Sequence, residues 1–190
     1  MAAGDSIVSI CNIALIELGE DPIVDLAQNV KPAILCRARY DDVRRGVLRA
    51  SLWSCNTAYA QLAASPTPPP FGWSQSYPLP ADFLRMIKIW DNSDAKWEVV
   101  GRNLYTNEGA PLNVVYGTDL QDPSVMDPLL VQTIGYTLAL DLCHPITNSN
   151  DIFDRVAKKM EGKLDIGRLT TSQENSPREW DEDVWLRSRR

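Results

Sequence analysis

The chain has 190 residues, 44% of them hydrophobic and 23% charged, which is the composition of one ordinary soluble domain or two small ones. Six Trp, six Tyr and three Phe supply enough core-forming surface to exclude a wholly disordered chain. A net charge of -6 argues against a protein that lives by non-specific grip on phosphate backbones, while leaving room for a local basic stripe.

No basic region precedes the first apolar residues, and Asp5 interrupts them, so no secretory signal is readable. Asp5 or Ser6 can cap a first helix. Ile7, Cys11, Ala14, Leu15 and Leu18 recur at spacings of three and four, so they share one face. Gly19 suits the C-terminal cap and Pro22 prevents continuation. A second helix is predicted from Pro32 to Trp53 or beyond. Its inner stripe is Cys36, Tyr40, Val43, Val47 and Ala50, and its opposite face carries Arg37, Arg39, Asp41, Asp42, Arg44, Arg45 and Arg49. Two antiparallel helices joined by a short loop is the economical arrangement.

Between Ser65 and Pro80 stand Pro66, Pro68, Pro69, Pro70, Pro78 and Pro80, with Phe71, Trp73 and Tyr77 among them. Proline at that density forbids a helix interior or a central strand. An extended strap with its aromatics tucked against a surface is expected, in preference to a free proline-rich ligand. Leu84 to Tyr116 reads as an antiparallel meander of four strands, Met86–Trp90, Lys96–Val100, Asn103–Thr106 and Leu112–Tyr116, separated by Asp, Asn and Gly turn clusters. Trp90 and Trp97 would then face each other across neighbouring strands.

Asp127-Pro128 opens a third helix. Leu130, Val131, Ile134, Leu138, Ala139 and Leu142 make it apolar nearly all round, so it is the expected central helix, ended by Pro145. Its most apolar stretch, Leu129 to Leu142, is shorter than a bilayer span and carries Gln132 and Asp141, so no membrane is expected as a partner. A fourth helix starts at Asn148 with Asp151, and Phe153, Val156, Ala157, Met160 and Leu164 form its inner stripe. From Thr170 the sequence turns polar but keeps Trp180, Val184, Trp185 and Leu186, a pattern of anchors that bury themselves on another surface.

The sequence thus predicts an α+β protein, mainly α with a small antiparallel β-region: a four-helix bundle core with an inserted β-meander and an extended C-terminal tail. Residues 1–64 are the N-terminal helical pair, 65–122 the Pro-rich strap and meander, 123–169 the C-terminal helical pair and 170–190 the tail.

No catalytic constellation emerges. Cys11, Cys36, Cys55 and Cys143 include no CxxC pair, and His144 is the single histidine, so neither a metal nor a cofactor is expected. Reduced, buried cysteines fit a protein assembled in a reducing cytoplasm. Cys143 and His144 adjoin in a helix and project about 100° apart, which rules against a nucleophile–base dyad. Asp41-Asp42 and Asp181-Glu182-Asp183 are acidic pairs of the kind a solvated face carries; a glycosidase would need two carboxyls across a cleft. Arginine outnumbers lysine 13 to 6, and arginine suits interface ion pairs. Arg37, Arg44, Arg45 and Arg49, with Asp41 and Asp42, are therefore the candidate subunit-interface residues.

Three stretches carry a family resemblance. The first is IALIELGEDPIVDL over Ile13–Leu26. The second is YDDVRRGVLRASLWSCNTAYAQL over Tyr40–Leu62. The third is YPLPADFLRMI over Tyr77–Ile87, followed by WEVVGRNLY over Trp97–Tyr105 and the helix from Asp127 to Leu142. Their order resembles the head-to-tail adaptor family of short-tailed bacteriophages, also called tail tubular protein A or gatekeeper-type connectors. The resemblance covers residues 5 to 170 and implies a structural protein of the virion with no catalytic residues. It implies a ring, usually of twelve copies, beneath the portal protein, continuing the channel for double-stranded DNA and docking the tail nozzle protein. It further implies portal contacts for Trp180, Val184, Trp185, Leu186 and Arg187. The competing readings are a peptidoglycan-degrading tail-associated hydrolase, a head-completion connector of a long-tailed phage, and a host regulatory helical protein.

Overall fold

Ser6 opens helix α1 (Ile7–Leu18). The Ser9 amide donates to Ser6 Oγ at 3.1 Å and the Ser6 amide donates to Ser9 Oγ at 2.9 Å, a reciprocal pair that satisfies two orphan donors. Gly19, at φ 81°, closes the helix in the left-handed region. The loop that follows is pinned by Asn12, whose amide bonds the backbone of Ile23 in both directions at 2.8 and 2.9 Å. The computed structural model describes residues 6–92 and 94–174, and of 164–174 the backbone alone.

Helix α2 (Lys31–Ala50) starts where expected, with Pro32 in its first turn, but stops short of Trp53. Ser51 is extended, Trp53 is buried in the helical core, and a 3-10 turn over Ser54–Asn56 leads into strand β1 (Thr57–Leu62). The sequence TAYAQL contains good helix formers. Pairing along β6 (Leu112–Thr118) overrides that local preference and makes it a strand. Strand β1 thus lies inside the segment assigned to the helical pair.

The remaining strands are β2 (Gln75–Pro78), β3 (Phe83–Ile89), β4 (Trp97–Val100) and β5 (Asn103–Thr106). They do not form a meander. Two antiparallel sheets have the orders β1-β6-β3 and β2-β5-β4, and the chain changes sheet between β3 and β4. Trp90 and Trp97 therefore do not pair: Trp90 packs edge-on against Tyr59 at 5.5 Å, and Trp97 lies opposite Thr106. Proline confines β2 to an edge, as its chemistry requires. Within the strap, Tyr77 is fully buried and Trp73 is half-buried, but Phe71 is 84% exposed, against the expectation that all three aromatics tuck in. The sheets share a core of Leu62, Tyr77, Ile89, Leu104, Val114 and Tyr116.

Asp127 caps α3 (Pro128–Ile146) by accepting the Leu129 amide at 2.7 Å. The helix continues through Pro145 instead of ending there. A proline in the last turn removes one amide only, and the Thr147 amide closes the end on the Cys143 carbonyl at 2.8 Å. All six residues of the expected apolar set are buried. At 19 residues α3 is long and apolar enough to cross a membrane by length and composition; here it packs against α1, α2 and α4. Helices α1 and α2 touch each other less than either touches α3, and they meet at Cys11 and Cys36. A short turn, with Ser149 capping in place of the expected Asn148, leads to α4 (Asn150–Glu174). The α4 backbone stays helical past the expected boundary at Thr170. Lys31 at the start of α2 reaches the Pro145 carbonyl at the end of α3, so these helices are antiparallel, as are α3 and α4 across their turn. The result is a mixed α+β protein of four helices and two small three-stranded sheets among the described residues.

Candidate interaction surface

The charged face of α2 was the leading candidate surface, and the fold uses much of it internally. Arg44 is 1% exposed, not on the outer face. Its Nη1 donates to Asp119 Oδ1 and to the Leu120 carbonyl, both at 2.6 Å, and its Nη2 lies 3.4 Å from Asp41. Arg45 reaches the other oxygen of Asp119 at 3.0 Å. Asp119 directly follows β6, so these two arginines fasten the helical part to the sheets. Ala50, expected inside, is exposed instead. The stripe is rotated because Leu48 and Arg44 turn inward with Val43 and Val47.

Arg49 and Arg85 form a second fastening. Arg49 Nη1 donates to the Leu84 carbonyl and Arg85 Nη1 donates back to the Arg49 carbonyl, each at 2.8 Å. Arg39 grips Asp141 of α3 through Nε at 2.6 Å and Nη2 at 3.3 Å, and also touches Asp42. That pairing holds the Arg39 guanidinium above its usual pKa, chiefly through the hydrogen bonds it donates to Asp141. Arg37 makes a contact at the limit of hydrogen bonding, 3.5 Å to the Leu26 carbonyl. Of the six candidates only Arg44 is buried; Arg37, Asp41 and Asp42 are exposed and, unlike Arg45 and Arg49, make no contact to the sheet part. The tail candidates Trp180, Val184, Trp185, Leu186 and Arg187 lie outside the described residues.

Cys11, Cys36 and Cys143 are buried, Cys55 is half-buried, and none of the four forms a disulfide. The hydrogen bond with Cys36, and after it burial, push the Cys11 thiol upward. Cys143 Sγ approaches Thr147 Oγ1 and the Ser149 carbonyl, while His144 stacks on Phe153 at 5.7 Å, so the two do not face each other. No cluster of metal-ligating side chains occurs among the described residues.

Two surface features had no signal in the one-dimensional pattern. The first is a small recess of about 220 Å³ beside the Tyr59–Trp90 pair, where Lys88 Nζ lies 4.8 Å over the Trp90 ring. The second is a cleft of about 580 Å³ where the end of α2 meets both sheets. Phe83, Met86, Trp97 and Val99 give it an apolar lining, and Arg49, Arg85 and Arg102 surround it. Only the tertiary arrangement of α2 and strands of two separate sheets brings these residues together. Comparison with protein-family models and with curated proteins returns no match for this sequence.

Proposed function

We propose that this chain is a structural, non-enzymatic subunit of a bacteriophage particle, a head-to-tail adaptor of the short-tailed type. About twelve copies close into a ring beneath the portal protein through heterologous contacts. The ring continues the channel for double-stranded DNA, which passes without sequence-specific binding, and presents a docking surface to the tail nozzle. The protein is assembled in the host cytoplasm and resides at the head-to-tail junction. In this reading the helices form a bundle core that makes the ring body, and the sheets are an inserted β-region directed at tail components. Residues 170–190 are the tail that reaches the portal.

The observation that carries the reading is the ordered set of segments from Ile13–Leu26 through Tyr40–Leu62 and Tyr77–Ile87 to the helix ending at Leu142. Exposed apolar side chains on the sheet part support it: Tyr59 is 68% exposed, and Phe71, Trp97 and Val100 also face outward. Large exposed side chains, aromatic ones above all, are what contacts between proteins bury. The outward Asp41, Asp42 and Arg37 suit a charged subunit contact.

The test is to mix the purified chain with portal rings and weigh the products by mass photometry. The expected species has the mass of portal plus a ring of this subunit; no complex under any assembly condition overturns the proposal. A chain cut after Glu174 should keep its thermal transition and lose docking, and unchanged docking would remove the tail from the mechanism. Clearing of a peptidoglycan suspension that disappears when one carboxylate is replaced would favour the hydrolase instead.

A further inference from the structure

The cleft at the end of α2 is basic in an acidic protein. Arg49, Arg85 and Arg102 donate to the carbonyls of Leu84, Arg49 and Pro80, at 2.8, 2.8 and 2.6 Å. None of the three is ion-paired with a carboxylate among the described residues. Three guanidiniums with neutral partners therefore ring an apolar lining that includes Trp97, 38% exposed, and Phe83. The Arg85 stem lies over Gly117, where a Cβ would come within 2.9 Å of Arg85 Cγ, so the fold holds this arginine in place. An occupant must bring negative charge and large apolar side chains together.

The chain contains such a segment. Residues 179–186 read Glu-Trp-Asp-Glu-Asp-Val-Trp-Leu, four carboxylates interleaved with Trp180, Val184, Trp185 and Leu186. Its origin lies toward the same end of the helical part. Helix α4 runs antiparallel to α3 and, with 25 residues against 19, is longer by about 9 Å at 1.5 Å per residue. Its C-terminus is therefore directed past the start of α3, the end of the helical part where α2 gives way to the sheets. The five residues from Glu174 to Glu179 extend up to about 17 Å.

We propose that residues 179–186 dock into the cleft of their own chain, with carboxylates toward Arg49, Arg85 and Arg102 and an indole against Trp97 and Phe83. The cleft volume suits one or two large side chains. This docking is independent of the adaptor reading. Where both hold, the segment must leave the cleft before it can reach a portal, so the free subunit keeps its own anchor covered.

Hydrogen–deuterium exchange on the full-length protein tests this. Amides of 179–186 should exchange at least about tenfold more slowly than an unstructured chain. The double variant Arg85→Glu with Arg102→Glu should abolish that protection. Because Arg85 also braces α2, a second variant, Trp180→Ser with Trp185→Ser, leaves the described fold untouched. It should remove the protection and shift the Trp97 indole resonance. Exchange at the unstructured rate, or protection that survives both variants, overturns the proposal. Protection that grows with protein concentration overturns it in favour of a second copy as occupant. A Trp97 shift produced by a DNA duplex while 179–186 exchange freely overturns it in favour of nucleic acid.

Discussion

Arg44 Nη1 and Asp119 Oδ1 meet at 2.6 Å, with the arginine side chain 2% and the aspartate 14% exposed. The pair joins α2 to the residue that leaves β6, and the Leu120 carbonyl and Arg45 complete its shell. It is the main polar tie between the helices and the sheets.

Removing the cation leaves Asp119 desolvated with Arg45 as its remaining partner. Arg44→Ala should cost about 3–5 kcal/mol, read from urea unfolding. Arg44→Lys should recover little, because one ammonium cannot reproduce the fork that serves both the carboxylate and the carbonyl. Replacing both partners, Arg44→Met with Asp119→Leu, should recover most of the loss; equal damage from single and double variants would refute the pairwise account.

At Gly135, α3 lies close against α1. A Cβ there would lie 2.7 Å from Ile13 Cγ2 and 2.9 Å from its Cβ. Gly135→Ala should lower stability by about 1–3 kcal/mol through overpacking, despite the better helix propensity of alanine. Gly46 in α2 has nothing within 4 Å of its Cβ direction, so Gly46→Ala should stabilise by up to about 1 kcal/mol. Calorimetry should give melting shifts of opposite sign.

Burial pushes the Tyr40 hydroxyl up to about 12 from its ordinary 10.0, and that hydroxyl has no hydrogen-bond partner among the described residues. Burial raises Tyr77 and Tyr116 as well. A folded-state value above the unfolded one gives a contribution that is complete below pH 10 and lost as pH rises toward 12. Alkaline titration followed by circular dichroism should show unfolding in that window. Tyr40→Phe should blunt part of it and leave neutral-pH stability equal or higher, since an orphan polar atom leaves the core.

Asp127 accepts the Leu129 amide at the head of the central helix. Asp127→Ala should cost about 1 kcal/mol, and Asp127→Ser should retain most of it, as measured by chemical denaturation.

The helices were legible because their signals are local. Ser6, Gly19, Pro32 and Asp127 each fix a terminus through chemistry confined to a few residues, and the apolar set of α3 announced its burial. The four later strands were also legible, since turn clusters bounded them. The ending of α2, strand β1 and the separation of β3 from β4 were not. Each depends on which strand accepts the backbone, and partners 25 to 60 residues apart leave no local mark. The candidate surface fared alike. Arg44 looked like Arg37 and Arg45 in sequence, and only Asp119, 75 positions away, drew it inside.

Taken alone, the sequence determined where the four helices lie, the caps at Ser6, Gly19 and Asp127, the turn-bounded strands and the absence of a readable catalytic motif, because spacing and backbone chemistry act over a few residues. The tertiary structure decided which arginines are fastenings and which remain free to meet a carboxylate. It also created the cleft between Arg49, Arg85 and Arg102. Burial and charge pairing are properties of neighbours in space, and strand pairing selects those neighbours from distant parts of the chain.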